Sequence, residues 1–293
     1  MAGGHRALGP AHTNCGRPSM TEPLTVPPPV LSAIQARWPA HTRDWPTRVE
    51  AELLELCERY DAKPREVLPA RYGFVVAADT AHGGVVLRAS PDPHGPTQAE
   101  VARALANLGA GPAVHEATVT DGGTWTILDE VRPGTPLAMT DLSTVSLEAL
   151  AAPLAAISGQ PAPRRGMPSI IDWLRTRLED DELADLAPGT TVAPDDVRRA
   201  AIDSLDELAA TGTLGLCHGD ASLWNILAHG QCDWKLIDPR GMTGEVSYDI
   251  AVLAFKVARH QSPAPVAVRL ARAADVDPER VQAWMTVASA ARV

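Results

Sequence analysis

Three polar residues in the second half of the chain, Asp220, Asn225 and Asp238, have types and spacing that could do chemistry together. An amide oxygen and a carboxylate are hard ligands that suit Mg²⁺, whose remaining ligands are waters and phosphate oxygens. A second carboxylate that lies near the metal without binding it can orient a substrate hydroxyl and accept its proton. We therefore predict that Asp220 is a catalytic base and that Asn225 and Asp238 bind magnesium.

A predicted hairpin would bring these residues together. Two short apolar segments, 226–228 and 234–237, flank a polar turn that contains Gly230, a pattern typical of antiparallel strands. Asn225 precedes the first strand and Asp238 follows the second, so both lie at the open end, where paired strands are about 4.8 Å apart. Each residue alone is better explained by a turn or a cap, and it is their order around one hairpin that favours catalysis.

The elements around this segment are predicted from hydrophobic periodicity and turn residues. The N-terminal half is expected to form two leading helices and then an antiparallel sheet with one inserted helix, whereas the chain from residue 147 onward is mostly helical. These elements are helices 30–37, 45–59 and 97–108 and strands 71–78, 84–89, 115–119 and 124–128.

The expected fold class is therefore α+β with two lobes. Residues 1–19, which are rich in Gly, Pro and Ala, are predicted to be a disordered N-terminal extension, with Met20 as an alternative first residue. Residues 20–131 form the predicted N-terminal lobe with a nucleotide-binding sheet. Residues 132–293 form the predicted C-terminal lobe, which contains the catalytic hairpin and binds the acceptor.

Composition excludes several classes of partner. The formal net charge of −10 at pH 7 disfavours nucleic acid and anionic membranes, since both attract clusters of Lys and Arg. No segment approaches the roughly 18 to 20 apolar residues that cross a bilayer. The four cysteines form no CxxC pair and no signal peptide is evident, so we expect reduced thiols in the cytoplasm. The predicted partner is a small-molecule acceptor, and no protein partner is implied.

The motif HGDASLWN, followed after the hairpin by IDPRG and then by YDIA, resembles the signature of the aminoglycoside phosphotransferase family. The form IDPRGMTGEVSYDIA resembles the branch that contains streptomycin 6-phosphotransferases and hydroxyurea-resistance kinases. The resemblance implies a protein-kinase-like fold, a cleft for ATP between the lobes, and ATP and Mg²⁺ as cofactors.

Position within these motifs implies further roles. Asp220 matches the catalytic aspartate, and Asn225 and Asp238 match the metal ligands. Asp249 matches a buried aspartate that braces the catalytic loop, although it could also cap the following helix. His218 is expected to orient the loop rather than to transfer protons.

The nucleotide side departs from the family pattern. The family carries a strand lysine that contacts the phosphates and pairs with a helix glutamate, whereas this chain has Arg88, with Glu100 as candidate partner. Arginine keeps the charge but is not an equivalent replacement, and a surface arginine is the alternative. No GxGxxG motif is present. The backbone of Asp129 and Val131 is expected to contact adenine, unless this segment is a plain linker.

The acceptor side carries weaker signals. Glu179, Asp180 and Asp181 belong to an acidic run that could attract a cationic substrate, although a solvated helix face explains the run better. Trp224 could pack on a sugar ring. The predicted function is ATP- and Mg²⁺-dependent phosphotransfer to a hydroxyl of a small molecule, with an aminoglycoside such as streptomycin as acceptor. The alternatives are a kinase for another hydroxylated metabolite and a catalytically impaired pseudokinase.

Overall fold

The computed structural model describes residues 24–39, 43–186, 189–259 and 261–293. The predicted extension at residues 1–19 and Met20 lie outside the described residues. The helices are α1 Pro28–Arg37, α2 Trp45–Arg59, α3 Gly95–Asn107, α4 Leu147–Ile157, α5 Ile170–Glu179, α6 Asp195–Thr211, α7 Val246–Ala258, α8 Pro263–Ala273 and α9 Pro278–Ala290. The strands are β1 Lys63–Val67, β2 Phe74–Thr80, β3 Gly83–Ser90, β4 Val114–Thr120, β5 Gly123–Asp129, β6 Pro133–Pro136, β7 Gly215–Leu216, β8 Ile226–His229, β9 Asp233–Leu236 and β10 Thr243–Gly244.

The N-terminal half contains a five-stranded antiparallel sheet with the order β1-β2-β3-β5-β4. Val-rich segments form β2 and β3, since branched side chains pack well on a pleated surface. The pairing of β2 with β3 is regular from Phe74 opposite Ala89 to Thr80 opposite Gly83. Helix α3 connects β3 to β4, as the sequence predicts.

Helices α1 and α2 share a hydrophobic core with this sheet. The side chains of Val49 and Leu53 on α2 are buried in one cluster with Phe74, Leu87 and Trp125 of the strands. The three- and four-residue spacing of apolar residues on α2 places them on one face, which is the buried face.

Helix α3 faces the other way, toward the C-terminal half. Its Val101 and Leu105 are buried in the large cluster formed by the C-terminal helices. The loop after α3 continues the contact, because the backbone amide of Leu236 on β9 donates to the carbonyl of Ala110 at 2.8 Å. The N-terminal sheet is thus connected through α3 to the strand that leads into Asp238.

The C-terminal half is mostly helical and is centred on α7. This helix is buried along most of its length, because its apolar residues are not confined to one stripe. Tyr248 of α7 packs edge to face on Trp284 of α9, with ring centroids 5.6 Å apart. Two small sheets complete this half: the three-stranded β6-β8-β9 and the two-stranded β10-β7.

The structure confirms the predicted α+β architecture and corrects some of its details. The predicted strands and the inserted helix are present, with bounds that differ by one to three residues. The strand β1 is not predicted, because its sequence KPREV lacks an alternating apolar pattern, and it forms the edge of the sheet. The division at residue 131 stays a prediction. In the described part of the chain, no helix is both long and apolar enough to cross a membrane.

Candidate active site

The hairpin of β8 and β9 brings Asn225 and Asp238 to one end, as predicted. Ile226 pairs with Leu236, and the Ile237 amide donates to the Asn225 carbonyl at 2.9 Å. Asp238 has a positive φ of 55°, a conformation that is uncommon outside glycine and that turns the chain immediately after the strand. Its carboxylate is 46% exposed and therefore accessible to a ligand.

The loop that carries Asp220 is attached to this end of the hairpin. The side-chain nitrogen of Asn225 donates to the backbone carbonyl of Asp220 at 3.0 Å, which leaves the amide oxygen of Asn225 as an acceptor. The Asp220 carboxylate is 37% exposed. The three residues predicted from the sequence are therefore neighbours in the fold.

Asp249 holds the catalytic loop through hydrogen bonds to its backbone. Its two carboxylate oxygens accept hydrogen bonds from the backbone amides of His218 and Gly219, both at 2.8 Å. Asp249 is fully buried in the first turn of α7. Because its carboxylate bonds the catalytic loop, it does more than cap its own helix. Burial raises the pKa of Asp249 to about 7, while the two amide donors act in the opposite direction.

His218 is oriented by hydrogen bonds on both ring nitrogens. Nδ1 accepts from the backbone amide of Asp220 at 3.3 Å, so the proton is on Nε2, which donates to the Ile237 carbonyl at 2.8 Å. The residue is fully buried, and this burial lowers the pKa of the imidazole. A neutral ring that connects the loop to the hairpin is consistent with the predicted orienting role.

Arg88 lies in the cleft, but its partners differ from the prediction. Its guanidinium forms an ion pair with Asp238 at 2.5 Å and has two longer contacts of 3.5 Å to Gln98. The predicted partner Glu100 instead binds Arg164, with a shortest distance of 2.8 Å. The expected pair of Arg88 and Glu100 is therefore corrected, because the Glu100 carboxylate is directed toward the loop after α4.

The segment that links the two halves is partly committed to protein contacts. The Asp129 amide donates to the Ala113 carbonyl at 2.9 Å, and the Asp129 carboxylate contacts His115 at 2.6 Å. The Asp129 amide is thus already bonded. The backbone amide of Val131 forms no hydrogen bond within the described residues. Its contact with adenine stays a prediction.

The acidic run, which could attract a cationic substrate but is better explained as a solvated face, is paired in part with arginines of the protein itself. Asp181 forms an ion pair with Arg198 at 2.5 Å, and the same arginine donates to the carbonyls of Leu178 and Asp180 at the end of α5. These contacts satisfy the C-terminal carbonyls of the helix. No such partner is found for Glu179 within the described residues.

The ring of Trp224, which was predicted to pack on a sugar, is 60% exposed beside Asn225.

Arg240 also contacts the catalytic loop, a role that is not predicted from the sequence. Its Nε donates to the Gly219 carbonyl at 3.0 Å, and its Nη2 lies 3.6 Å from the Asp220 carboxylate. The available signal was a cation inside the IDPRG motif, two residues after a predicted metal ligand.

The residues of the site fit a magnesium ion. Among the residues that the structure describes, no group of three or more His, Cys, Asp or Glu side chains could hold a metal unaided. One amide oxygen from Asn225 and one carboxylate from Asp238 suit Mg²⁺, which retains waters and phosphate oxygens as its other ligands.

The sequence matches the phosphotransferase enzyme family over residues 65–284, which is most of the chain. The chain belongs to this family. The prediction of a phosphotransferase enzyme is thereby confirmed. The match covers the family as a whole and does not single out the streptomycin and hydroxyurea branch. A search of the curated proteins found no match.

Solved structures similar to this phosphotransferase share its kinase-like fold at low sequence identity. Aminoglycoside phosphotransferase APH(3'')-Id from Streptomyces rimosus is 17% identical, with a TM-score of 0.56 over 82% of this chain and 97% of that one. Choline kinase LicA from Streptococcus pneumoniae is 14% identical, with a TM-score of 0.60 over 84% and 88%. A thermostable mutant of APH(4)-Ia in complex with ADP and hygromycin B is 18% identical, with a TM-score of 0.53 over 80% and 87%. The predicted kinase-like fold is confirmed.

Proposed function

We propose that this phosphotransferase transfers the γ-phosphate of ATP to a hydroxyl of a small molecule, with Asp220 as catalytic base. The observation that carries the proposal is the convergence of Asp220, Asn225 and Asp238 at one end of the hairpin. The Asn225 side chain bonds the Asp220 backbone, and its carbonyl accepts from Ile237 directly before Asp238. A base and two metal ligands are thus held on one framework.

The residues would divide the reaction between them. Asp220 orients the acceptor hydroxyl and takes its proton as the oxygen bonds to phosphorus. Asn225 and Asp238 would hold Mg²⁺, which would neutralise the negative charge of the phosphates. Arg88 contacts the nucleotide phosphates from the sheet side of the cleft, within reach of Asp238. His218 and Asp249 keep the loop in place.

We propose an aminoglycoside such as streptomycin as the acceptor. The resemblance of the IDPRG and YDIA motifs supports this class, as do the aminoglycoside phosphotransferases among the similar folds. The exposed ring of Trp224 beside Asn225 offers a surface on which a sugar could pack. The acidic run that begins at Glu179 contributes less support, since Asp181 and the nearby Asp185 are paired with arginines.

Replacement of Asp220 tests this function. We expect Asp220→Asn to lower kcat with ATP and streptomycin by about 10²- to 10⁴-fold, the range that a positioned base contributes. Stabilisation by MgADP in a thermal-shift assay should remain. The matched control is Asp203→Asn, an exposed aspartate on α6, which should leave kcat unchanged. An undiminished rate in Asp220→Asn would refute the assignment.

A choline-like amino alcohol is the second candidate acceptor, because choline kinases also share the fold. Consumption of ATP with streptomycin, hygromycin B and choline in parallel separates the candidates. If MgATP stabilises the protein but no member of a wider hydroxyl panel is phosphorylated, the pseudokinase alternative is favoured instead.

A further inference from the structure

Arg240 contacts the catalytic loop at three successive residues. Its backbone amide donates to the carbonyl of His218 at 2.9 Å, and its side-chain Nε donates to the carbonyl of Gly219 at 3.0 Å. Its Nη2 lies 3.6 Å from Oδ2 of Asp220, which is ion-pair distance. The guanidinium therefore bonds the backbone of the loop and at the same time faces the proposed base.

Gly219 makes this close approach possible. Its φ of +80° is a conformation that side chains rarely adopt, and a Cβ at this position would lie 2.9 Å from the Cβ of Arg240. The glycine thus allows the side chain of Arg240 to lie directly against the loop. The glycine of the HGD motif is therefore explained by the close packing of Arg240 against it.

The guanidinium of Arg240 also contacts the ring of Trp173. The Cζ atom of Arg240 lies 4.1 Å from the centroid of the indole ring, within the range of a cation–π contact. The tryptophan is half-buried in the first turns of α5, whose N-cap Ser169 accepts from the amide of Ile171. The charged end of Arg240 therefore contacts both an aromatic face and the catalytic loop, with its side chain only 25% exposed.

We propose that Arg240, stacked on Trp173, is a positioning residue that holds the Asp220 carboxylate in the orientation needed to accept a proton. The inference rests on the proposed function, because it assigns Arg240 an effect only through Asp220. A planar guanidinium can bond the Gly219 carbonyl with Nε and attract Asp220 with Nη2 simultaneously, whereas a lysine ammonium is a single point charge. Correct placement of a reacting group matters, since a shift of about 1 Å can reduce rates by roughly 10²-fold.

The first measurement compares Arg240→Met and Arg240→Lys in the full-length protein with ATP and the acceptor identified by the panel above. We expect Arg240→Met to lower kcat by roughly 10- to 100-fold, as for a misplaced base, with the KM for ATP and the thermal shift with MgADP unchanged. Arg240→Lys should recover part of kcat, because it restores charge near Asp220. A purely structural role would instead lower the melting temperature and leave kcat per folded molecule unchanged.

A double-mutant cycle separates this inference from the proposed function. If Arg240 acts through Asp220, Arg240→Met should reduce kcat by less than about threefold once Asp220 is already Asn, since interacting residues are non-additive. If Arg240→Met loses the same factor in both backgrounds, the inference is overturned while the role of Asp220 stands. If Asp220→Asn alone retains full activity, the proposed function fails.

Arg177 offers a matched control on the same aromatic ring. Its guanidinium lies 5.2 Å from the centroid of Trp173 but pairs with Asp185 at 2.7 Å instead of with the catalytic loop. Arg177→Met should lower the melting temperature and leave kcat within about twofold, because it removes the pair with Asp185 and the hydrogen bond to the Ala291 carbonyl at 3.0 Å, neither of which contacts the catalytic loop. A loss of kcat equal to that of Arg240→Met would mean that any cation on Trp173 has this effect, and would overturn the specific role of Arg240.

Discussion

The two sides of the cleft are built in different ways. On the catalytic-loop side, buried groups with short hydrogen bonds fix the backbone: Asp249 binds two amides at 2.8 Å, and His218 binds the hairpin. On the nucleotide side, Arg88 is held by an ion pair with a carboxylate that is 46% exposed and by two contacts of 3.5 Å. One side is preorganised, and the other depends on long charged side chains.

This difference has a physical basis. A base must already point in the correct direction when the acceptor arrives, so its loop is fixed by buried hydrogen bonds that do not depend on a ligand. A phosphate-binding arginine can exchange one anionic partner for another at little cost, because its charge is satisfied in either state. Arg88 binds Asp238 in this structure, and we propose that it exchanges this partner for phosphate when the nucleotide binds.

Beyond replacement of the base itself, the largest effect is expected on the preorganised side, from Asp249→Asn. The new amide group would direct a donor at one of the amides of His218 and Gly219, which leaves a buried donor unsatisfied at about 1–3 kcal/mol. We expect that loss in the free energy of unfolding, measured in urea, together with a fall in kcat of about 10²-fold from displacement of the loop. Wild-type stability and kcat in this variant would show that the carboxylate does not fix the loop.

A smaller effect is expected on the nucleotide side, from Arg88→Met. Hydrogen bonds to charged groups contribute about 1.5–3 kcal/mol, so kcat/KM for ATP should fall by roughly 10- to 100-fold. The matched variant Arg88→Lys retains the charge and should lose less. If both variants keep the wild-type kcat/KM for ATP, Arg88 has no role in the cleft beyond its pair with Asp238.

The smallest effect is expected from Glu100→Gln. Its ion pair with Arg164 is solvent-accessible, with side chains 33% and 48% exposed, and such pairs contribute about 0–1 kcal/mol. The KM for ATP should therefore change by less than about twofold. A tenfold increase would indicate that Glu100 pairs with Arg88 during turnover and would restore the pairing predicted from the sequence.

Much of the site could be predicted because its residues are close in sequence. The apolar segments on either side of Gly230 indicated the hairpin, and its pairing places Asn225 and Asp238 at one end. The strand β1 could not be predicted, because its residues have no apolar alternation and become a strand only by pairing with the edge of β2.

The sequence by itself predicted most of the elements in their order, the proposed base and metal ligands, and the family, because periodicity and short motifs are local properties. Only the tertiary structure decided the partners of the charged side chains. Glu100 binds Arg164 instead of Arg88, and Arg240 lies between Trp173 and Asp220. Long charged side chains can reach several partners, and their pairing depends on how α3, α5 and the catalytic loop pack against one another.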